Sequence, residues 1–188
     1  MGKSYSEIDD NLRRFIEAQR MFFVATAPLA ADGHVNVSPK GLDALHVLAP
    51  KRVLYVDFVG SGVETIAHLR ENSRIVLMFC AFEGPPKILR LHGSGRVVEP
   101  LDSEMVEYDR YLPVDHSVRS VIVVDVTRIH DSCGFGVPLY DFRGQRSQYS
   151  DWVKKKEAAE GLVDYQKQKN AASIDGLAGL HWVAETKT

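Results

Sequence analysis

The stretch 55–82, YVDFVGSGVETIAHLRENSRIVLMFCAF, constrains the fold more than any other part of the chain. It begins within an apolar, β-rich run at 53–58, which predicts a strand. The turn 60–62 breaks that run, and residues 63–71 carry apolar side chains at the spacing of a short helix. Residues 74–82 are uninterruptedly apolar, which predicts a strand buried on both faces. Backbone amides point outward where a glycine turn enters a helix, and the helix dipole adds positive charge, so this turn is a candidate anion site.

Two other interpretations of the turn stay open. Ser61 and Glu64 have the spacing of a capping box, in which their side chains satisfy the first helix amides. A dinucleotide-binding GxGxxG turn fits less well, because Thr65 stands where Gly or Ala is required. That motif also requires an acidic residue about 20 positions later to bind the ribose, and here it would have to lie within residues 79–83. The spacing alone does not decide between an anion site and an ordinary helix cap.

The composition is that of a soluble globular protein, with 45% hydrophobic and 26% charged residues in a chain of 188. A chain of this length buries about 70% of its unfolded surface. The net charge of −2 gives no electrostatic basis for binding nucleic acid or an anionic membrane. No stretch approaches 18 consecutive apolar residues, so the sequence predicts no transmembrane helix. The charged, amphipathic N-terminus does not resemble a signal peptide.

The reactive residue types indicate neither a metal site nor a catalytic set. Cys80 and Cys133 form no CxxC motif and no disulfide framework, which favours a reducing, cytoplasmic location. The histidines never fall at metal-ligand spacing, so we expect no metal. No Gly-x-Ser-x-Gly motif is present, and no catalytic residue is assigned. An enzyme with so few candidate side chains would take its reactivity from a cofactor.

The remaining periodicity predicts a mainly β domain. Strands are expected, besides the two above, at residues 21–27, 34–37, 87–98 and 121–129. Six strands with short connections suit a closed or nearly closed antiparallel barrel. Ser4 and Glu7 form a capping box that predicts an amphipathic helix before the barrel, and the glycines at 93–95 predict a bulge.

The second strand and the C-terminal third carry further local signals. Val35 and Val37 alternate with polar neighbours, which predicts a half-buried strand that Pro39 ends abruptly. We assign residues 1–130 to the barrel. Residues 131–188 are predicted to form an extension that packs on the barrel or on a partner subunit. It is expected to hold one helix, capped by Ser150 and weakened by Gly161. We expect residues 173–180 to form a surface loop.

The ordered series HVNVSPKG, YVDFVGSGVETIAHLREN, RIVLMFCAF and ILRLHGSGRVVE resembles the pyridoxamine 5′-phosphate oxidase-related family of FMN-binding split barrels. The segments SCGFGVPLYDFRGQR and SIDGLAGL resemble a bacterial subgroup of uncharacterised members. The resemblance spans about residues 10–180. It implies a six-stranded antiparallel split β-barrel with flanking helices, a homodimer, and FMN at the subunit interface.

The resemblance also implies where the cofactor lies. The strand ending at Lys40 would run along the flavin, and the next strand, at Val56 and Asp57, would flank it. The turn 61–63 would bind the phosphate, and Phe135 would cover the substrate face, across the dimer. The cofactor-binding residues expected are Asn36, Val37, Ser38, Pro39, Lys40, Val56, Asp57, Ser61, Gly62, Val63, Thr65 and Phe135.

The sequence departs from the oxidases at three places. Gly62 and Val63 stand where the oxidases have basic residues, so the phosphate would depend on turn amides, Ser61, Thr65 and Lys40. Ile88 replaces a polar residue that meets the ring. The C-terminal Arg-x-His-x-Arg substrate signature has no counterpart. Pyridoxamine phosphate is therefore not the expected substrate.

Three functions follow from these patterns. The first is a flavin-dependent oxidoreductase acting on an unidentified small molecule. The second is a non-catalytic split-barrel protein that binds FMN, haem or another planar ligand, since an apolar pocket with few titratable groups fits this equally well. The third, a purely structural barrel, is less favoured because of the SPKG and GSG turns.

Overall fold

A computed structural model describes residues 2–114 and 117–185, and within them one antiparallel sheet dominates. Its strands are β1 (Ser4–Tyr5), β2 (Phe22–Thr26), β3 (Asn36–Lys40), β4 (Leu45–Ala49), β5 (Arg52–Phe58), β6 (Arg74–Cys80), β7 (Ile88–Val98) and β8 (Val118–Ser132). The helices are α1 (Asp10–Ala18), α2 (Glu64–Asn72), α3 (Gln148–Ala158), α4 (Leu162–Lys169) and α5 (His181–Glu185), with a 3₁₀ helix at Ser103–Tyr111.

The strand order makes this sheet a split barrel. Neighbouring strands run in the order β3-β2-β6-β7-β8-β5-β4, and β1 adds to β8. The edge strands β3 and β4 do not pair with each other, and Lys40 at the end of β3 reaches Asp57 on β5 instead, at 2.9 Å. The predicted antiparallel split-barrel class is confirmed. The described residues form eight strands where six were expected, because β1 and β4 are short strands that the sequence patterns did not single out.

Strand β5 and the first half of β8 are buried on both faces. The main core lies on one side of β5, where Val53 and Tyr55 point. On the other side, Leu54 and Val56 pack against the 3₁₀ helix. The prediction that β6 is buried on both faces is wrong. Its side chains alternate between buried and half-buried, because the described elements leave the outer face of β6 open.

The ends of two elements also differ from expectation. Ser4 does not cap a helix but pairs in β1 opposite His130, and α1 begins later, with the Asp9 carboxylate accepting from the Leu12 amide at 2.8 Å. Strand β3 continues through Pro39. An edge strand tolerates proline, because the missing amide would have faced away from the sheet.

The expected burial of the valines near β3 is wrong. Val35 and Val37 are 71% and 61% exposed, because the inward positions of the strand belong to the polar residues between and after them. The expected bulge at 93–95 is confirmed by a register shift between His92 and Gly93. A Cβ on Gly93 would lie 2.3 Å from the Asp125 carbonyl oxygen, so this close approach requires glycine.

The C-terminal segment is more deeply packed than predicted. The single expected helix is two, α3 and α4, separated at Glu160, whose φ of 51° ends the first. Residues 173–180 do form a loop, but Leu180 is fully buried and joins Val183 in the main core. The division of the chain at residue 130 stays a prediction. None of the described helices has the length and apolarity needed to cross a membrane.

Glu99 ties this segment to the barrel, which gives a stability prediction. Its carboxylate is 3% exposed, pairs with Arg70 and accepts from the His181 amide at 2.9 Å. Glu99→Ala leaves the Arg70 charge and that amide without their partner, so we expect the free energy of unfolding to fall by about 3 kcal/mol. Urea denaturation measures this. Glu17→Ala removes only an exposed i,i+4 ion pair with Arg13 and serves as control, with an expected loss of about 0.5 kcal/mol. Equal losses would contradict the anchoring role.

Candidate functional site

The turn between β5 and α2 is the first part of the candidate site. Helix α2 starts at Glu64 after an N-cap at Val63, and no side chain caps its first amides. The capping-box interpretation of Ser61 and Glu64 is therefore wrong. The Glu64 carboxylate instead folds back over Gly62, where a Cβ would lie 2.4 Å from Oε2. The uncapped amides keep their capacity to bind an anion, with one carboxylate beside them.

Two buried side chains hold the turn from the protein interior. Arg119 on β8 donates through Nη1 to the carbonyl oxygens of Gly60, at 3.3 Å, and Gly62. Asn170, directly after α4, donates through Nδ2 to the Gly60 carbonyl at 2.9 Å. Arg119 is 5% exposed and Asn170 is fully buried. The carbonyl groups of Gly60 and Gly62 are thus hydrogen-bonded by side chains from the protein interior.

A buried ion cluster closes the gap between β3 and β5. Asp57 is fully buried, with Oδ1 2.9 Å from Lys40 Nζ and Oδ2 2.7 Å from Arg119 Nε. Burial alone would raise the pKa of Asp57, but the charges of Arg119 and Lys40 outweigh it and hold that pKa well below its ordinary value. One carboxylate between two cations leaves a net charge of about +1 next to the turn, which favours an anion there.

A polar network joins β2, β3 and α2 beside this cluster. Asn36 Nδ2 donates to Thr65 Oγ1 at 2.9 Å and to Thr26 Oγ1 at 3.3 Å. Thr26 Oγ1 lies 3.0 Å from His68 Nδ1. Burial lowers the pKa of His68, so the ring is held neutral at neutral pH. The network fixes the inward face of β3 against the first turns of α2.

Two buried polar atoms around this network have no hydrogen-bond partner among the residues that the structure describes: Ser38 Oγ and His68 Nε2. They lie on β3 and α2. Folded proteins rarely leave buried polar atoms unsatisfied. Their concentration here indicates that water or a ligand completes the site.

Two cavities open between the β3 edge and the C-terminal segment. One of about 190 Å³ is lined by Lys40, Val56 and Phe58, and one of about 270 Å³ by Arg146; both also touch Leu42 and Tyr149. Leu42 and the following residue adopt left-handed φ angles of 59° and 52°. Strained backbone of this kind clusters at functional sites. The smaller cavity touches β3 at its Lys40 end, and both cavities extend from there over the loop between β3 and β4.

The structure brings most of the predicted site residues together. Alternation along β3 directs Asn36, Ser38 and Lys40 inward, while Val37 and Pro39 face outward. Asn36 bonds Thr65, Lys40 bonds Asp57, and Val56 and Pro39 line the smaller cavity. In the turn, Ser61 is exposed, Gly62 is half-buried and Val63 is buried.

Phe135 is not placed with the other predicted residues. It is 81% exposed and follows Gly134, whose Cβ position would meet the backbone of Lys87, just before β7. The predicted role of Phe135 therefore depends on a partner subunit.

Sequence reasoning missed three residues of this site. Arg119 could have been found by pairing β5 with β8, because the Asp57–Ser120 register places the arginine beside Asp57. Asn170 and Tyr149 lie in the C-terminal segment, and no sequence signal connects them to the turn. No group of three or more His, Cys, Asp or Glu side chains suited to a metal ion occurs in residues 2–114 and 117–185.

Comparison with known proteins gives consistent matches. The sequence model described as pyridoxamine 5′-phosphate oxidase matches residues 8–133. The curated pyridoxamine 5′-phosphate oxidase family protein ustO of Aspergillus flavus is 40% identical over 196 residues, which cover 94% of this chain and 77% of the relative.

Solved structures match the fold at low sequence identity. A HupZ variant of Group A Streptococcus has a TM-score of 0.52 and 20% identity, covering 66% of this chain and 99% of that one. A candidate pyridoxamine 5′-phosphate oxidase of Lactobacillus delbrueckii has a TM-score of 0.50 and 16% identity, covering 68% of this chain and 98% of that one.

Proposed function

The chain belongs to the pyridoxamine 5′-phosphate oxidase family, and we propose that it is a flavoprotein that binds FMN between the β5–α2 turn and Lys40. The observation that carries this proposal is the turn itself: uncapped helix amides stand beside a buried cluster of net positive charge. Helix amides and positive charge together favour a phosphate dianion.

The residues present fit such a cofactor. Amides of the turn 61–63 would hold the phosphate, and the unsatisfied Ser38 Oγ, on the inward face of β3, offers a polar contact to a ring along that strand. Lys40 keeps two of its three ammonium hydrogens free of Asp57 and would meet the polar edge of the ring. Glu64 opposes an anion, so its side chain has to turn away from Gly62 when phosphate enters.

We propose further that the protein is an oxidoreductase acting on an unidentified small molecule. Bound flavin would supply hydride transfer at its N5 edge. The chain's own groups would bind and orient the cofactor. Asp57 fixes the Lys40 ammonium, and the buried β5 strand would exclude water from the cofactor's side of the sheet. Pyridoxamine phosphate is not proposed as the substrate, because the oxidases' Arg-x-His-x-Arg signature has no counterpart in the chain.

An absorption spectrum of the purified protein tests the proposal first. We expect the spectrum of a bound flavin, or its appearance when FMN is added to the apoprotein, with mass identification of the ligand released by denaturation. Anaerobic mixing with NADH or NADPH should then bleach the flavin. A protein that takes up no flavin under any condition would refute the binding proposal.

A second candidate function is a non-catalytic carrier of FMN, haem or another planar ligand. The specific observation that favours it is that the polar groups of the site pair with one another, as in Lys40–Asp57 and Asn36–Thr65. Lys40 and Asp57 are thereby held by each other rather than offered to a substrate as acid and base. A bound flavin that no physiological donor reduces would support the carrier, whereas steady turnover would support the enzyme.

We also propose that the protein acts in the cytoplasm as a homodimer with the flavin at the interface. The exposed valines at 35 and 37 and the exposed Leu29 leave an apolar area on the β3 edge, next to the site. Such areas typically mark interaction surfaces. Analytical ultracentrifugation with and without FMN should give a dimer, and a monomer that binds FMN fully would contradict the shared site.

A further inference from the structure

The C-terminal segment contributes a buried side chain to the β5–α2 turn. Asn170 lies outside the matched region 8–133, yet its Nδ2 donates to the Gly60 carbonyl at 2.9 Å. Arg119 donates to the same carbonyl at 3.3 Å and to that of Gly62. These bonds reach the turn from the interior, on the side opposite the exposed Ser61.

Peptide geometry connects these carbonyls to the amides that would face a ligand. Every described peptide bond is trans, and in a trans peptide the C=O and N–H groups of one plane point in opposite directions. Because the Gly60 and Gly62 carbonyls point inward, the amides of Ser61 and Val63 point outward. Among the residues that the structure describes, neither amide has an acceptor. Outward amides at a helix start form a concavity suited to an anion.

Asn170 is itself fixed in place. Its amide donates to the Gln166 carbonyl at 2.7 Å, and its carbonyl accepts from the Leu180 amide at 2.9 Å. A Cβ on Gly179 would lie 2.1 Å from the Asn170 carbonyl oxygen, so glycine is required for this approach. The backbone position of Asn170 therefore depends on the loop that packs into the core.

The other end of the Asn170 side chain is unsatisfied. The residue is fully buried, and its Oδ1 has no hydrogen-bond partner among the described residues. An unpaired buried amide oxygen destabilises the fold. A stabilising role therefore does not account for asparagine at this position, whereas a role for Nδ2 on the turn does.

We propose that Asn170 is a positioning residue for the cofactor phosphate: it holds the Gly60 carbonyl inward, so that the turn presents its amides to the phosphate. The proposal rests on the proposed function, since it requires FMN to bind with its phosphate at this turn. It assigns the C-terminal segment a part in anion recognition.

The test compares FMN with riboflavin, which lacks the phosphate. Dissociation constants for both, and the melting temperature, are measured for wild type, Asn170→Ala and Asn170→Asp. We expect the alanine variant to bind FMN about tenfold more weakly, the effect of losing one hydrogen bond that orders the turn, with riboflavin affinity unchanged. The aspartate variant should bind FMN more weakly still, because a carboxylate repels both the Gly60 carbonyl and the phosphate.

Val183→Ala is the matched control, because it loosens the same segment by removing apolar side-chain atoms from the main core. It should lower the melting temperature and leave the ratio of FMN to riboflavin affinity unchanged. If Asn170→Ala does not fold, Asn170→Ser, which keeps a small polar group there, is measured in the same way.

The outcomes separate the two proposals. A wild-type protein that binds neither flavin refutes the proposed function and with it the positioning role. A wild type that binds FMN and riboflavin equally well keeps the flavin but refutes a phosphate at this turn. An Asn170 variant whose ratio of FMN to riboflavin affinity equals that of wild type, whether or not both affinities fall, refutes the positioning role alone.

Discussion

Replacing Asp57 with alanine should lower the free energy of unfolding by about 3–5 kcal/mol, the largest stability effect we expect from one substitution. Asp57 is fully buried between Lys40 and Arg119. Without it, two cations face each other across the gap between β3 and β5. Both would have to find water or move apart, and the edge strand β3 would lose its ion pair to β5. Urea denaturation of wild type and variant measures the loss.

The matched control for this change is Asp125→Ala. Asp125 on β8 pairs with Arg52 on β5, but both side chains are about half exposed. Exposed pairs contribute little, so a loss of about 0.5 kcal/mol is expected. Losses of similar size in the two variants would mean that Asp57 is not the centre of the cluster.

The same residue predicts a pH dependence. The pKa of Asp57 is lowered in the folded protein, so its contribution to stability is fully present above the unfolded pKa, about 3.9. That contribution should be lost as the pH falls below this value toward the lower folded pKa. The stability difference between wild type and Asp57→Ala should therefore be constant from pH 7 to about 5 and shrink below about 4. A difference that grows on acidification would contradict this sign.

The stretch 55–82 was predictable because its signals are local. Strand, glycine turn, helix and strand each show their own periodicity, and the structure places them at β5, α2 and β6 within about two residues. Capping was less predictable. Ser4 and Ser61 both begin capping-box patterns, but Ser4 pairs with His130 across the sheet, and Glu64 folds over Gly62. A cross-sheet pairing decided the first case, and a local contact two residues away decided the second.

The parts of the site that the sequence did not reveal depend on register and on distant packing. Lys40 and Asp57 were both expected near a cofactor, but their ion pair arises because β3 and β5 face each other across an open seam. Arg119 joins them through the β5–β8 register. Asn170 reaches Gly60 across 110 positions of sequence, and no local pattern indicates such a contact.

Exchanging Gly62 for charged residues should produce the largest change in cofactor affinity. Gly62→Asp adds a carboxylate beside Glu64 where the phosphate would lie, and we expect FMN to bind about 10–100-fold more weakly. The backbone accepts a side chain, because Gly62 is not among the residues with positive φ, and the nearest atom is the flexible end of Glu64. Gly62→Arg restores the positive charge that the oxidases carry here and should tighten binding by about tenfold.

Fluorescence titration with FMN and riboflavin, at low and high salt, distinguishes charge from shape. The Gly62 effects should be confined to FMN and should shrink with added salt, because the charges are partly exposed. Gly136→Asp is the matched control: it adds the same charge where nothing lies within 4 Å of the new Cβ, and it should leave both affinities unchanged. Equal FMN affinity in Gly62→Asp and wild type would mean that the phosphate lies elsewhere, because a second carboxylate beside a bound dianion would repel it and weaken FMN binding.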